Sequence, residues 1–385
     1  MAGRFFLVFG GIIVFETREE QGYVLTKLMA RPKTRESADA DSLNERQREI
    51  LRLIIQQYVL TANPVGSRYI SRISTLGLSD ATLRNVMSDL EYLGFIDHPH
   101  TSAGRMPTDK GYRLYVDNLM PIENLSAAEK QAVAHSLGIG LTPEDVIRES
   151  TTLLAKLSKQ LSLLLLPALE VGVLEKVEIV PLSGNRILMI IAASSGRVRT
   201  VTLETETTIE RSKLDDLGYI LNSRLAGKSF REVRNIFFES IRDLSEEDKS
   251  ILRVFINSPE KFFEDTSSDR VKLSGAGNIF TQPEFQKKNS YNDDEFQSII
   301  ELIENEEVVI HVLEGSEKQT GLAIRIGSEL GDERMTNYSI ISTKYRIGDQ
   351  HGTIAVIGPK RMDYGRVTPI VEYVAKAMSS ALSGK

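Results

Sequence analysis

The sequence predicts an α+β protein in which a small, mostly helical domain precedes a larger domain of strands and helices. Through residues 43–93, apolar residues recur three and four positions apart, which is typical of helices with one buried face. Beyond residue 121, strand-like apolar runs lie on both sides of a charged, helical block at 210–265. Strands separated by a helical block indicate one α+β domain that carries an insertion.

Composition limits the chemistry. The chain has 385 residues, 41% hydrophobic and 26% charged, enough for two or three globular domains. It has no cysteine, which excludes disulfides, thiolate nucleophiles and cysteine-based zinc sites. The net charge is −6, but residues 43–118 contain nine Lys/Arg and eight Asp/Glu. The acidity therefore lies outside this segment, which leaves room for a local basic surface.

Residues 1–42 are predicted to be an extension outside the folded domains. The eleven-residue apolar run at 5–15 is too short to span a bilayer, and its flanks do not fit a signal peptide. We expect translation to start at Met29, with residues 1–28 an upstream over-call. Residues 30–41 are polar and without periodicity, and are expected to be disordered.

Two helices are predicted next. Ser42 and Glu45 have the spacing of a capping box at the start of a helix that ends before Pro64. A short second helix is expected to begin at Ser67 and to bury two residues, Ile70 and Ile73.

A third helix and a hairpin follow. Ser79 is expected to cap the third helix, and Gly94 to end it. A short strand at 95–97, a polar loop at 98–104 and a returning strand then lead to a helix capped by Thr108. Three helices in this order, followed by a hairpin, predict a winged helix-turn-helix.

The start of the third helix is the best candidate for a functional surface. In a helix-turn-helix this end enters the DNA major groove, where Arg reads guanine and Asn reads adenine with two hydrogen bonds each. The predicted base contacts are Ser79, Thr82, Arg84 and Asn85. An ordinary solvated helix face is the alternative, and the neighbouring turn and wing favour DNA.

Further contacts are predicted around this helix. Ser67 and Arg68 begin the second helix, where backbone N–H groups and a cation commonly hold a phosphate. Ser102 and Arg105, in the wing, are expected to reach a phosphate or the minor groove. Lys110 and Arg113 are weaker phosphate candidates.

Catalytic, metal and cofactor sites are not predicted. No P-loop, zinc-protease or nucleophile-elbow motif is present. His98 and His100 lack a third local ligand for zinc. Lys360, Arg361 and Arg366 suit either a bound anion or interdomain ion pairs, and we favour the ion pairs.

The larger domain is expected to be built on strands at both ends of the insertion. Residues 161–174 are the most apolar stretch of the chain. A closing helix is expected at 369–382. The predicted strands are 177–193, 197–203, 308–313, 322–326, 338–345 and 353–357.

Residues 78–117 (LSDATLRNVMSDLEYLGFIDHPHTSAGRMPTDKGYRLYVD) resemble the winged-helix domain of the HrcA family of heat-inducible repressors. GAGNIFTQPEF, LAIRIGSEL and SIISTKYRIGDQHGTIAVIGPKRMDYGRV resemble the later part of the same family. In this resemblance Ser79, Thr82, Arg84 and Asn85 match the recognition segment. The wing motif is matched by Ser102, Gly104 and Arg105.

The resemblance implies a winged-helix domain at 43–120, a GAF-like domain at 121–203 and 300–385, and a largely helical dimerisation domain inserted at 204–299. It also implies a cytoplasmic, non-enzymatic homodimer that binds an inverted-repeat operator upstream of chaperone genes. The cell's chaperonin is expected to act as its modulator, and no membrane or cofactor is involved.

Three other functions stay open on sequence grounds. The GAF-like domain would sense a small-molecule ligand, or the winged helix would serve an enzyme or a protein-binding scaffold. The missing catalytic motifs disfavour the enzyme. Ligand-induced thermal stabilisation would favour the sensor, and a steep salt dependence of DNA binding would exclude the scaffold.

Overall fold

The computed structural model describes residues 8–9, 12–13, 43–99, 104–204, 208–240, 242, 270–283, 300–301, 303–314 and 321–383. The chain divides into two compact units, residues 1–42 and residues 43–385. In the first unit, strands β1 (Val8–Phe9) and β2 (Ile12–Ile13) pair antiparallel. The predictions of disorder and of a start at Met29 otherwise concern residues outside the described ranges.

The second unit begins with the predicted winged helix-turn-helix. Its core is formed by aliphatic side chains that are fully buried on all three helices, among them Ile54, Ile70 and Leu83. The elements are α1 (Glu45–Thr61), α2 (Ser67–Ile73), α3 (Asp80–Tyr92), β3 (Ile96–Asp97), β4 (Met106–Pro107) and α4 (Asp109–Leu114), which continues as a π-helical turn, Tyr115–Leu119.

Local capping explains where these helices begin, and two of the predictions made from the sequence are corrected by the structure. Ser79 and Thr108 cap α3 and α4 as predicted. The capping box of α1, however, is formed by Asn44 and Gln47, two residues after the predicted pair, with both hydrogen bonds at 3.0 Å. The predicted burial of Ile73 is also wrong, because this residue of the last turn of α2 is 39% exposed.

The larger domain is built on a five-stranded antiparallel sheet in the order β10-β11-β12-β5-β9. All five residues of β5 are buried, because neighbouring strands cover both of its edges and helices cover both of its faces. The strands are β5 (Leu161–Leu165), β9 (Val271–Ser274), β10 (Ala323–Ile326), β11 (Tyr338–Ile347) and β12 (Gln350–Pro359).

Helices lie on both faces of this sheet. One face packs on helices α9 and α10 in a shared apolar core. Helices α6 and α11 pack against each other and against the sheet, on the face of Ser162 and Leu164. The helices are α5 (Ala127–Ser136), α6 (Pro143–Ser158), α9 (Ala276–Phe280), α10 (Glu306–Glu314) and α11 (Tyr364–Leu382).

The predicted strand at 308–313 is wrong, because these residues lie in helix α10. Val309, Val312 and Leu313 are buried at helical spacing. Before them, the Asn305 side chain accepts a hydrogen bond from the backbone N–H of Val308 at 3.3 Å. A short apolar run rich in β-branched residues fits either element, and here the helix covers the sheet.

Within residues 43–385, a smaller group of strands and helices with its own core lies between β5 and β9, and we call it the inserted unit. The antiparallel sheet β6-β7-β8 packs one face on two helices, and its core is distinct from that of the larger sheet. Its elements are β6 (Leu174–Pro181), β7 (Arg186–Ala193), β8 (Val198–Glu204), α7 (Arg211–Leu225) and α8 (Phe230–Ser240). We therefore propose that the insertion begins after β5 and ends before β9, rather than at 204 and 299.

A clasp, formed by Asp109, Ser328 and Lys360, joins the winged helix to the larger domain. Asp109 Oδ1 accepts from Lys360 Nζ at 2.8 Å, and its Oδ2 accepts from the N–H and hydroxyl of Ser328, each at 3.0 Å. Burial opposes ionisation of Asp109, but the hydrogen bonds from Lys360 and Ser328 outweigh it and lower its pKa. Gly327 has φ +53°, and a Cβ there would overlap this carboxylate.

Lys360 thus makes a predicted interdomain ion pair, whereas Arg366 pairs within the larger domain and Arg361 makes a hydrogen bond to the winged helix. Arg366 pairs with Glu129, and hydrogen bonds from Ser126 together with Arg366 lower the pKa of this Glu to about 2. Arg361 donates to the Val59 carbonyl at 3.1 Å. Arg113, a weak candidate for a phosphate contact, instead pairs with Glu329.

We expect Asp109 and Lys360 to be coupled in folding stability. In a double-mutant cycle of Asp109→Asn and Lys360→Met, measured by urea unfolding at pH 7, the coupling free energy should be about 1 kcal/mol. Because the pKa of Asp109 is lowered in the folded state, the coupling is present above about pH 4 and is lost as the pH falls through that lowered value.

The exposed pair Arg211 and Asp215, 3.9 Å apart within α7, is the matched control. The substitutions Arg211→Met and Asp215→Asn should give a coupling below about 0.5 kcal/mol. Equal coupling in the two pairs would mean that the clasp contributes no more than a surface ion pair.

Candidate DNA-binding site

Helix α3 presents one polar stripe to solvent. Leu83, Val86, Met87 and Leu90 are buried against the rest of the winged helix. The opposite face is therefore directed outward, and its exposed residues at helical spacing are Ala81, Arg84, Asn85 and Ser88. This stripe has the polar groups that base recognition in a major groove requires.

The four predicted base contacts divide into two pairs. Arg84 and Asn85 are exposed in the middle of the stripe, with side chains long enough to reach base edges. Ser79 instead accepts from the backbone N–H of Thr82 at 3.2 Å, and the two hydroxyls lie 2.9 Å apart. Their hydroxyls thus serve the cap of α3, which fixes the direction in which Arg84 and Asn85 leave the helix.

The start of α2 adds cationic groups beside this stripe. Gly66 rather than Ser67 is the N-cap of α2, so the half-buried Ser67 occupies the first turn. Arg68 is exposed, as is Arg72 one turn later. Arg72 was not among the predicted contacts, although its spacing of four from Arg68 places both on one face of α2.

The wing is anchored at the start of α2. The backbone of Arg105 exchanges two hydrogen bonds with Val65, at 2.8 and 2.9 Å. Gly104 permits this approach, because a Cβ there would lie 2.7 Å from backbone atoms of Pro64 and Val65. The predicted contact at Ser102 lies outside the described residues.

An ion-pair network that the sequence did not predict joins the wing to the end of α3. One oxygen of Glu91 lies 2.7 Å from the Arg105 guanidinium, and the other lies 2.5 Å from His98 Nδ1. Through its ion pair with Glu91, Arg105 therefore holds the wing against the end of α3. No regular spacing in the sequence relates these residues, which meet only when the hairpin folds back on α3.

Between the wing and the end of α3, three side chains of metal-ligand type lie close together among the described residues. Glu91, Asp97 and His98 each offer one ligand atom, and these atoms lie within 4.8 Å of one another. From the sequence, only His98 and His100 had been considered as metal ligands. Both oxygens of Glu91 already have cationic or imidazole partners, which favours the ion-pair network over a metal ion.

Helix α4 transmits the position of this site to the rest of the protein. The Thr108 hydroxyl donates to the Gly94 carbonyl at 2.7 Å, and Lys110 Nζ donates to the Leu93 carbonyl at 3.3 Å. Lys110 Nζ also lies 4.6 Å from the centre of the Phe95 ring. The end of α3 is thus attached directly to the helix that carries Asp109.

Among the described residues, none of the helices has the length and apolar character needed to cross a bilayer.

Family comparisons agree with this geometry. Residues 42–118 match the family described as "Winged helix-turn-helix transcription repressor, HrcA DNA-binding", and residues 144–368 match "HrcA protein C terminal domain". A crystal structure described as that of a hypothetical protein at 2.2 Å resolution is similar to this chain, with TM-score 0.58 and 26% identity over 89% of this chain and 99% of that one.

Two relatives named as heat-inducible repressors match this chain over nearly their whole length. The heat-inducible transcription repressor HrcA of Chlorobium chlorochromatii (strain CaD3) is 39% identical over 90% of this chain and 99% of its own length. That of Chlorobium phaeobacteroides (strain BS1) is 37% identical over 89% and 99%. The predicted family, the winged-helix α+β fold and the non-enzymatic class are confirmed, and this chain belongs to the HrcA family of heat-inducible transcription repressors.

Proposed function

We propose that this protein is a cytoplasmic repressor that binds, as a homodimer, an inverted-repeat operator upstream of chaperone genes and releases it under heat stress. The observation that carries the proposal is the exposed stripe of α3 with Arg84 and Asn85 at its centre. Arg68 and Arg72 on α2 supply positive charge for the phosphates beside it. Ser67, Ser79, Thr82, Ser102 and Arg105 stay predicted contacts.

Arg84→Ala should weaken binding to the operator by about 1–3 kcal/mol, roughly 5- to 150-fold, because a bidentate contact to guanine is lost. Binding to a scrambled duplex should change much less, so specificity falls with affinity. The measurement is a fluorescence-anisotropy titration of both duplexes at two salt concentrations.

Two variants serve as comparisons for Arg84→Ala. Arg211→Ala, at a 77% exposed position on α7, should bind like wild type. Arg68→Ala should weaken both duplexes alike and reduce the salt slope by about 1, as expected for a phosphate contact. Equal loss on both duplexes for Arg84→Ala would remove the proposed base contact.

A face of the inserted sheet supports the dimer. Leu188, Ile190 and Ala192 of the middle strand are half-exposed on the side away from the helices, where a solvated sheet would have polar residues. Val198 beside them is 55% exposed. At the edge of this face, Lys176 and Glu178 pair with each other, so a second copy related by a two-fold axis meets no net charge there.

Ile190→Asp should convert the dimer to monomers at micromolar concentration, because a buried carboxylate at the two-fold interface has no partner. Light scattering coupled to size exclusion measures the mass. Ile139→Asp, at a fully exposed position outside the sheet, should leave the dimer intact. A dimeric Ile190→Asp variant would place the interface elsewhere.

The place of β5 in the sheet supports chaperonin dependence. This strand (LSLLL) is completed only when β9 and β12, both distant in sequence, pair with it. Before that point the apolar segment is exposed and prone to aggregate.

After dilution from denaturant, we expect low recovery of operator binding without chaperonin and high recovery with chaperonin and ATP. The yield of active protein is measured by titration with operator DNA. Full recovery without chaperonin would contradict this part of the proposal.

A further inference from the structure

A cavity of about 480 Å³ lies where the inserted unit joins the larger domain. Its walls come from four elements: helix α6, the segment after β5, the start of β8, and β9. Leu166 and Arg270, on the two chain crossings into and out of the insertion, are joined by a backbone hydrogen bond of 2.8 Å. The volume is within the range of small-molecule sites in proteins.

The floor of this cavity is apolar. Ile147 of α6 and Leu166 and Leu169 after β5 are buried, and Leu273 of β9 is half-buried beside them. These side chains come from three different elements and converge on one space. An apolar body of a ligand would therefore be in contact with the core domain and with both crossings at once.

The rim is cationic, in a chain whose net charge is −6. Arg148, Arg197, Arg199 and Lys272 line the cavity, and Glu144 is the one acidic residue among the lining residues described. Arg148 also pairs with Asp145 at 2.6 Å. Arg197 donates to the Pro167 carbonyl at 2.8 Å, a contact that orients its guanidinium.

We propose that this cavity binds a small amphipathic anion: an organic carboxylate whose apolar body lies on the leucine-rich floor and whose charge faces Arg199 and Lys272. Such a ligand contacts α6, β8 and β9 together, and so holds the inserted unit on the larger domain. The cavity is distinct from the DNA-binding face, because none of the lining residues described belongs to the winged helix.

The test uses the full-length protein and three probes below their micelle concentrations: decanoate, decyltrimethylammonium and acetate. Isothermal titration calorimetry and thermal unfolding are the measurements. Decanoate should bind at one site per chain and raise the Tm, since a ligand that binds only the folded state stabilises it. Acetate lacks the apolar body and decyltrimethylammonium has the wrong charge, so both should bind at least tenfold more weakly.

Two variants locate the site. Arg199→Glu should weaken decanoate binding by about tenfold or more, whereas Arg211→Glu, at a 77% exposed position on α7, should stay within twofold of wild type. Thr152→Trp, at an exposed wall position, fills the cavity without changing its charge and should abolish binding.

Three outcomes would overturn the proposal: no binding of decanoate, equal binding of the cationic probe, or decanoate binding that is unchanged in both Arg199→Glu and Thr152→Trp.

Discussion

The pairing of β5 with strands on both sides is the constraint on which the larger domain depends. β5 is followed at once by the insertion, yet its partners β9 and β12 come after the insertion in the sequence. Pairing with β9 therefore brings the two ends of the insertion together and forms the cavity at their junction. Pairing with β12 places Lys360, which follows that strand, beside Asp109. One fully buried strand thus positions both the cavity and the attachment of the winged helix.

The winged helix is held by directional contacts as well as by apolar packing. Asp109 is in the first turn of α4, where a carboxylate also interacts favourably with the helix dipole. Its two oxygens accept hydrogen bonds from Lys360 and Ser328 of the larger domain. Gly327 lets the backbone beside Ser328 approach this carboxylate. In addition to buried apolar surface, these directional contacts restrict the orientation of the winged helix on the larger domain. In the proposed dimer, the two winged helices need such fixed orientations to meet both halves of an inverted repeat.

The sequence predicted those structural features whose cause lies within one or two helical turns of the chain, and it missed features that depend on distant residues. The caps at Ser79 and Thr108 and the apolar spacing of α3 act within one or two turns, so this part of the fold and the exposed positions of Arg84 and Asn85 could be predicted. The helix at Val308–Leu313 was missed because its form is decided by the sheet on which it packs. The partner of Arg105 was missed because Glu91 reaches it only across the folded hairpin. The extent of the insertion that we propose is not visible in the sequence, because β6–β8 have the same alternation as the strands of the larger sheet.

The cavity and the DNA-binding face are connected by a continuous set of packed elements. Helix α6 lines the cavity and packs on α11, and the loop before α11 provides Lys360 to the clasp. The clasp holds α4, and α4 is hydrogen-bonded to the end of α3 through Thr108 and Lys110. Contact alone does not make two sites interdependent, since coupling requires an element with two arrangements that both ligands favour unequally. The directional contacts between the larger domain and the winged helix include those of Asp109, of Arg113 with Glu329 and of Arg361 with the Val59 carbonyl. A signal that passes between the two domains would act on these contacts.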